Sequence, residues 1–396
     1  MQSNFSKYID RKGSNSVKWD KVSEFFGRED LLPMWVADSD WPTAPEIIKA
    51  IKERADHGIF GYSFPDEKLK ETIVKWVKRN YDWDIKKEWI VFSNGVVPSI
   101  NIAVSTFTNL GDEVIVQSPV YYPFYSAIKN NGAVIINNKL KENNGEYEFD
   151  LEDLKNKIKD SSRNLSRAKL LILCSPHNPV GRVWDKKELQ ELGQICVENN
   201  IKIISDEIHA DFVYDDNKHI PIASLNNEFS QNTITFMAPS KTFNIAGLHS
   251  SFAVIENDDL RKEFTINKNG LVGAGNVFGL KAMEAAYSKG DEWLSEQIAY
   301  LEKNRDYAVN YINNKIPGIK CKKAEGTYLL WLDCRELELE NDNLNEFFIN
   351  KAQLALDPGD WFGEGGKGFM RMNLACPRST LKEGLERLEN AIRGEK

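Results

Sequence analysis

The sequence predicts an α/β fold: a mostly parallel seven-stranded sheet with helices on both faces, followed by a smaller α+β domain. Three observations lead there. Seven short apolar, β-rich runs recur along the chain: WIVFS (89–93), DEVIVQ (112–117), AVIINN (133–138), KLLILC (169–174), IKIISD (201–206), NTITFMA (232–238) and SFAVIE (251–256). Amphipathic helical segments separate them, the alternation expected of a parallel sheet covered on both sides. Near residue 280 the rhythm changes to long helical stretches, then to GTYLLWLD (326–333), a further helix and GFMRMNLA (368–375).

Taken in order, the first 45 residues are rich in turn formers and aromatics and include an extended-looking LLPMWVADSDWP (31–42). Pro42 and Pro45 then open EIIKAIKERAD (46–56), with apolar residues at helical spacing. A continuous helical pattern is expected over 284–312. The implied organisation is an N-terminal arm (1–45) packing with the small domain, a large domain (46–290) and a small C-terminal domain (291–396). A chain of 396 residues accommodates about two or three domains, and 41% hydrophobic residues suffice to fill their cores.

Composition argues against several function classes. The formal net charge is −8, which gives no basic footprint for nucleic acid or for an anionic membrane. The start, MQSNFSKYIDRKGSNSVKWD, lacks the apolar core of a secretory signal, and no apolar run approaches the roughly 18 residues that span a bilayer. Cys174, Cys196, Cys321, Cys334 and Cys376 are scattered without a C-x-x-C pair, which suits a reducing compartment and argues against a disulfide framework or structural zinc. A cytoplasmic protein is expected.

In open parallel sheets ligands sit outside the carboxyl ends of the strands. After WIVFS comes NGVVPS (94–99), where Gly95 precedes a helix start suited to a phosphate. After DEVIVQ come Tyr121 and Tyr122; after KLLILC comes SPHNPVGR around Asn178; after IKIIS comes DEIHAD (206–211); after NTITFMAP comes Lys241. Singly, each has an ordinary reading: Asp206 and Glu207 as helix caps, Asn178 as a turn residue, His209 as a structural histidine. The spacing of His177, His209 and Asp211 matches no metal motif. The glycine-rich GEGGKG (363–368) precedes a strand rather than opening a helix, so it is not a dinucleotide site. Together the strand ends offer an amine able to form a Schiff base, an acid for a pyridinium nitrogen, an anion cradle, an aromatic plate and an amide. That set is what pyridoxal 5'-phosphate needs.

The motifs N-G-V-V-P, P-V-Y-Y-P-F, P-H-N-P-V-G-R-V-W, S-D-E-I-H, S-K-T-F-N-I-A-G and R-M-N-L-A-C-P-R, in this order, resemble the fold-type I aminotransferase superfamily. MWVADSDWPTAP (34–45), HGIFGYS (57–63) and GDWFGEGGKGFMRMNLACPR (359–378) are similar to its cystathionine β-lyase (carbon–sulfur lyase) branch, which also includes a maltose-regulon modulator. The resemblance implies a fold-type I architecture and a homodimer with shared sites. It implies Lys241 as the Schiff-base lysine, Asp206 on the pyridine nitrogen, Asn178 on the cofactor's O3′ and Tyr121 stacked on the ring. Val96 and Val97 would bind the phosphate through backbone N–H groups and Ser240 through its hydroxyl, with His209 beside the cofactor. Tyr62 would reach the neighbouring subunit's phosphate and substrate. Arg371 would grip the substrate α-carboxylate, with Asn178 and Ala37 also on the substrate.

Two positions depart from the aminotransferase pattern. His249 stands where many members carry an arginine eight residues after the lysine, and His209 where many carry a tyrosine three residues after the aspartate. The implied reaction is α,β-elimination from L-cystathionine, L-cysteine or a related conjugate to a thiol, pyruvate and ammonia. Lys241 moves the Cα proton, and Lys241 or a tyrosine such as Tyr121 protonates the leaving group. The alternatives are an aminotransferase on the same scaffold and a protein whose main role is to bind a regulatory partner.

Overall fold

The structure is a computed structural model describing residues 4–163, 168–339 and 341–394. The outermost residues of the expected arm and small domain (1–3 and 395–396) lie outside the described residues.

All seven apolar runs form strands of one sheet: β1 (Ile90–Ser93), β2 (Glu113–Val116), β3 (Val134–Asn137), β4 (Ala168–Cys174), β5 (Lys202–Asp206), β6 (Thr233–Met237) and β7 (Ser251–Val254). Their spatial order is β1-β7-β6-β5-β4-β2-β3. β7 runs antiparallel to both its neighbours, and the other pairings are parallel. In β4, Leu170, Ile172 and Cys174 enter one hydrophobic cluster while Leu171 and Leu173 enter another. Burial on both faces is why this strand reads as a continuous apolar run.

The parallel order puts the C-terminal ends of β4, β5 and β6 side by side, with Cys174 opposite Asp206 and Asp206 opposite Phe236. Helix Val96–Phe107 starts directly beyond β1. A second, three-stranded antiparallel sheet contains β8 (Leu329–Asp333), β9 (Asp357–Pro358) and β10 (Phe369–Asn373), with β10 central. Leu330, Leu332, Met370 and Met372 pack there with Leu32 and Met34 and with Leu381, Leu385 and Leu388 of the last helix (Arg378–Arg393). Leu32–Pro33 also pairs in parallel with Leu354–Ala355. Among the described residues no helix is long and apolar enough to cross a membrane.

The stretch expected as one helix over 284–312 is two, Val277–Lys289 and Asp291–Lys315, divided at Gly290. A Cβ there would lie 2.3 Å from the Phe243 ring and 2.5 Å from the Ala286 carbonyl oxygen. The glycine is therefore required by close packing against the segment that follows Lys241.

Candidate active site

A cavity of about 260 Å³ opens at the ends of β4, β5 and β6. Nine of the eleven expected site residues line it: Ala37, Val96, Val97, Tyr121, Asn178, Asp206, His209, Ser240 and Lys241. Two larger hollows of about 710 and 720 Å³ run along the hairpin around Gly145 and contain none of them.

Lys241 lies in the short helix Pro239–Thr242, which follows β6 directly. Its Nζ donates to the Ala37 carbonyl oxygen at 2.7 Å, and the Tyr328 hydroxyl donates to the same oxygen at 2.9 Å. Burial pushes the ammonium down to about 8, against the opposing pull of Asp38 and Asp206. About a tenth is therefore free amine at pH 7, far more than an exposed lysine would supply. The next residue, Thr242, donates from Oγ1 to Asp211 Oδ2 at 2.6 Å, and Asp211 also accepts from the Tyr81 hydroxyl. The lysine's helix is thus anchored from behind.

Asp206 is the last residue of β5. Burial raises its carboxyl to about 7, because its one backbone donor, Ile208 N at 3.1 Å, and the charge of Lys241 recover only part of the lost hydration. The helix-cap reading fails: residues 207–211 form a turn, and no helix follows Asp206. Its neighbour Glu207 points elsewhere, accepting from Ser205 Oγ and bonding His219 Nε2, both at 2.8 Å.

Helix Val96–Phe107 begins at Gly95 with no side-chain cap, and neither Val96 N nor Val97 N has a partner among the described residues. Free donors at a helix start, facing a cavity, suit an anion. His209 is buried, with Nδ1 unpartnered. Burial, then the nearby charges of Lys241 and Arg371, hold its imidazole well below its ordinary value, so it is neutral. Burial likewise pushes the Tyr121 phenol upward. His249, exposed and with φ of +45°, also lines the cavity.

Two of the expected site residues do not line this cavity. Tyr62 is fully exposed, in a segment where Ile59, Phe60 and Phe64 are exposed as well. Arg371, on β10, is buried at 2% exposure and reaches the site through Asn178: its Nη1 donates to Asn178 Oδ1 at 3.0 Å. Its Nη2 donates to the Trp35 carbonyl oxygen at 3.0 Å and pairs with Asp357. Sequence reasoning missed Asp357, Tyr328 and Asp211's link to Thr242. The one signal for Asp357 was an acid inside the apolar run LALDP (354–358). Tyr328, in GTYLLWLD, looked like any strand aromatic.

The loop bearing Ala37 is fixed from several sides. Asn373 Nδ2 donates to the carbonyls of Val36 (2.6 Å) and Asp38 (2.7 Å), while Asn244 Nδ2 donates to those of Ser39 (2.9 Å) and Trp41 (2.8 Å). Asp40 receives Lys18 Nζ at 2.7 Å, Arg11 Nη1 at 2.8 Å and Trp19 Nε1 at 3.0 Å. One wall of the cavity therefore rests on the N-terminal residues.

The chain is similar to known proteins along nearly its whole length. Cystathionine beta-lyase PatB of Bacillus subtilis (strain 168) is 45% identical over 391 residues, covering 98% of this chain and 100% of its own. The crystal structure of cystalysin from Treponema denticola, which contains pyridoxal 5'-phosphate, matches with a TM-score of 0.95 and 40% identity over 100% of both chains. A PLP-bound putative aminotransferase from Clostridium difficile 630 matches with a TM-score of 0.95 and 46% identity, covering 99% of this chain and 100% of that one. The family described as aminotransferase class I and II matches residues 34–388, from the loop under the cavity to the last helix, and the chain belongs to it.

Proposed function

We propose that this chain is a pyridoxal phosphate-dependent carbon–sulfur β-lyase, eliminating a thiol from L-cystathionine, L-cysteine or a related S-conjugate and leaving pyruvate and ammonia. One observation carries the reading: an amine lowered to about 8 and a carboxyl raised to about 7 share a small cavity with an uncapped helix start. Those residues fit the cofactor. When bound, it supplies an aldehyde that captures amines and a ring that accepts electrons from Cα.

Each residue then has a task. The N–H groups of Val96 and Val97 and the hydroxyl of Ser240 would hold the phosphate, and the anionic form of Asp206 would accept from the ring nitrogen. Asn178 would bond the ring's oxygen substituent and Tyr121 would stack on the ring, while neutral His209, which also lines the cavity, would add no charge. Lys241 would hold the cofactor through Nζ, and the same nitrogen, as free amine, would take the Cα proton of the substrate. The Cβ–S bond would break as a Cα–Cβ double bond forms, the thiolate taking a proton from Lys241 or Tyr121, and water would hydrolyse the released aminoacrylate to pyruvate and ammonia. Arg371 binds the α-carboxylate, with Asn178 and the Ala37 segment bounding the substrate. In a homodimer, the exposed Tyr62 enters the neighbouring subunit's site at its phosphate and substrate. Support for elimination comes from the likeness to a cystathionine beta-lyase along the whole chain.

A second reading, amino-group transfer, is favoured by the likeness to a putative aminotransferase. Purified protein incubated with L-cystathionine separates the two. Pyruvate and thiol formed at the same rate with and without an added 2-oxo acid support elimination. Turnover that requires the 2-oxo acid, without thiol release, supports transfer.

A further inference from the structure

We infer that Asp357 is a positioning residue for substrate carboxylate recognition, holding the Arg371 guanidinium in its binding orientation; this rests on the reading of Arg371 given above. The two residues face each other across β9 and β10, with their Cα atoms in register. Their side chains are 1% and 3% exposed, so the ion pair is sealed from water. A buried guanidinium needs a counter-charge, and a planar one needs its rotation fixed before it can offer a fork.

The distribution of donors is informative. Nη2 is held by Asp357 and the Trp35 carbonyl, and Nη1 by Asn178, whereas Nε has no partner among the described residues. On the other side of the pair, Asp357 Oδ1 is also buried and has no partner among the described residues. A purely structural ion pair at this depth would be expected to satisfy both groups, because each orphaned polar atom costs stability. Here the arginine is clamped at Nη2, touches Asn178 through Nη1 and keeps unused hydrogen-bonding capacity at Nε. The Phe362 ring lies 4.9 Å from the guanidinium carbon and limits its movement. The contact to Asn178 connects this clamp to the cavity. Asp357 acts only through Arg371; it is not itself a catalytic residue.

The test is a double-mutant cycle on the holoenzyme, read by equilibrium binding of L-alanine and of ethylamine, which lacks the carboxylate. Asp357→Ala is expected to weaken L-alanine about tenfold or more while leaving ethylamine within about twofold. The loss should nearly vanish in an Arg371→Ala background, since residues acting as a unit are not additive. Asp357→Asn keeps an acceptor of the same shape and should fall between wild type and alanine; it also serves if the alanine variant does not fold. In turnover the change should appear in KM more than in kcat. Equal weakening of both ligands, or a loss that persists without Arg371, would overturn the inference and leave Asp357 a structural ion-pair partner. If Arg371→Ala alone leaves L-alanine binding unchanged, it is the carboxylate role of Arg371 that fails, a result distinguishable from failure of Asp357.

Discussion

Asp40 and Asp206 are almost equally buried, at 3% and 4% exposure, in two regions that treat a carboxyl oppositely. Burial alone would raise both. At Asp40 the charge of Lys18 and hydrogen bonds from Lys18, Trp19 and Arg11 outweigh burial and hold the carboxyl low. At Asp206 one backbone donor and the charge of Lys241 leave burial dominant, and the carboxyl rises to about 7. The lysines differ in the same way. Lys18, 1% exposed, is paired with Asp40, whereas among the described residues Lys241 Nζ has only a carbonyl oxygen, that of Ala37, as its hydrogen-bond acceptor. A region whose charges satisfy one another is a scaffold, and one whose charges lack partners is ready for a ligand. The same distinction recurs within the Arg371–Asp357 pair, which is clamped at Nη2 and incomplete at Nε.

The largest effect should come from the amine on the incomplete side. Lys241→Ala is expected to lower kcat by at least ~10²–10⁴-fold, the range for losing a positioned proton-transfer group. Borohydride should no longer fix cofactor to the chain. A variant that retained both rate and fixation would remove Lys241 from the site.

On the scaffold side, Asp40→Ala leaves Lys18 buried without its 2.7 Å partner. We expect a loss of about 3–5 kcal/mol in urea-monitored stability, the usual consequence of breaking a buried ion pair. A change below about 1 kcal/mol would mean that the arm's charges are solvated rather than locked.

The two carboxyls should also give pH dependences of opposite sign. Asp40, lowered in the fold, contributes stability above its unfolded value of 3.8, lost as pH falls through the lower folded value. Asp206 is raised from 3.8 to about 7, so the folded state holds a proton that the unfolded chain has released. Cofactor-free protein should therefore lose stability as pH rises through that interval. Relative to Asp206→Asn, the loss should reach at most about 4 kcal/mol, since one pKa unit corresponds to about 1.4 kcal/mol. Parallel unfolding curves for wild type and variant at pH 5 and pH 8 would show that Asp206 is solvated.

Arg371→Lys keeps the charge and loses the fork. It should lower kcat/KM for L-cystathionine by about 2–4 kcal/mol, with little change in the visible spectrum of bound cofactor. A stability loss with kcat/KM within about threefold would make the arginine purely structural.

Asp206, Asn178, Tyr121, Lys241 and the Gly95–Val97 helix start were legible because each follows an apolar run, and parallel sheets present strand ends on one side. Their meeting in one cavity depends on strand order: β4, β5 and β6 are neighbours, and no single run encodes that. Arg371 was found only through resemblance. Asp357 escaped because its meaning lies in a cross-strand register between β9 and β10, 14 residues apart in the chain.

Local pattern thus determined the seven strands, the helix starts and the chemistry offered at each strand end, since hydrophobic periodicity and turn residues act over a few residues. Tertiary structure alone decided the antiparallel setting of β7, the division at Gly290 against Phe243, and the anchoring of Ala37's loop by Asn244 and Asn373. It also decided which buried charges would be satisfied. Desolvation and ion pairing depend on what surrounds a group in three dimensions, and two aspartates that look alike in sequence acquire opposite tuning only when the chain has packed around them.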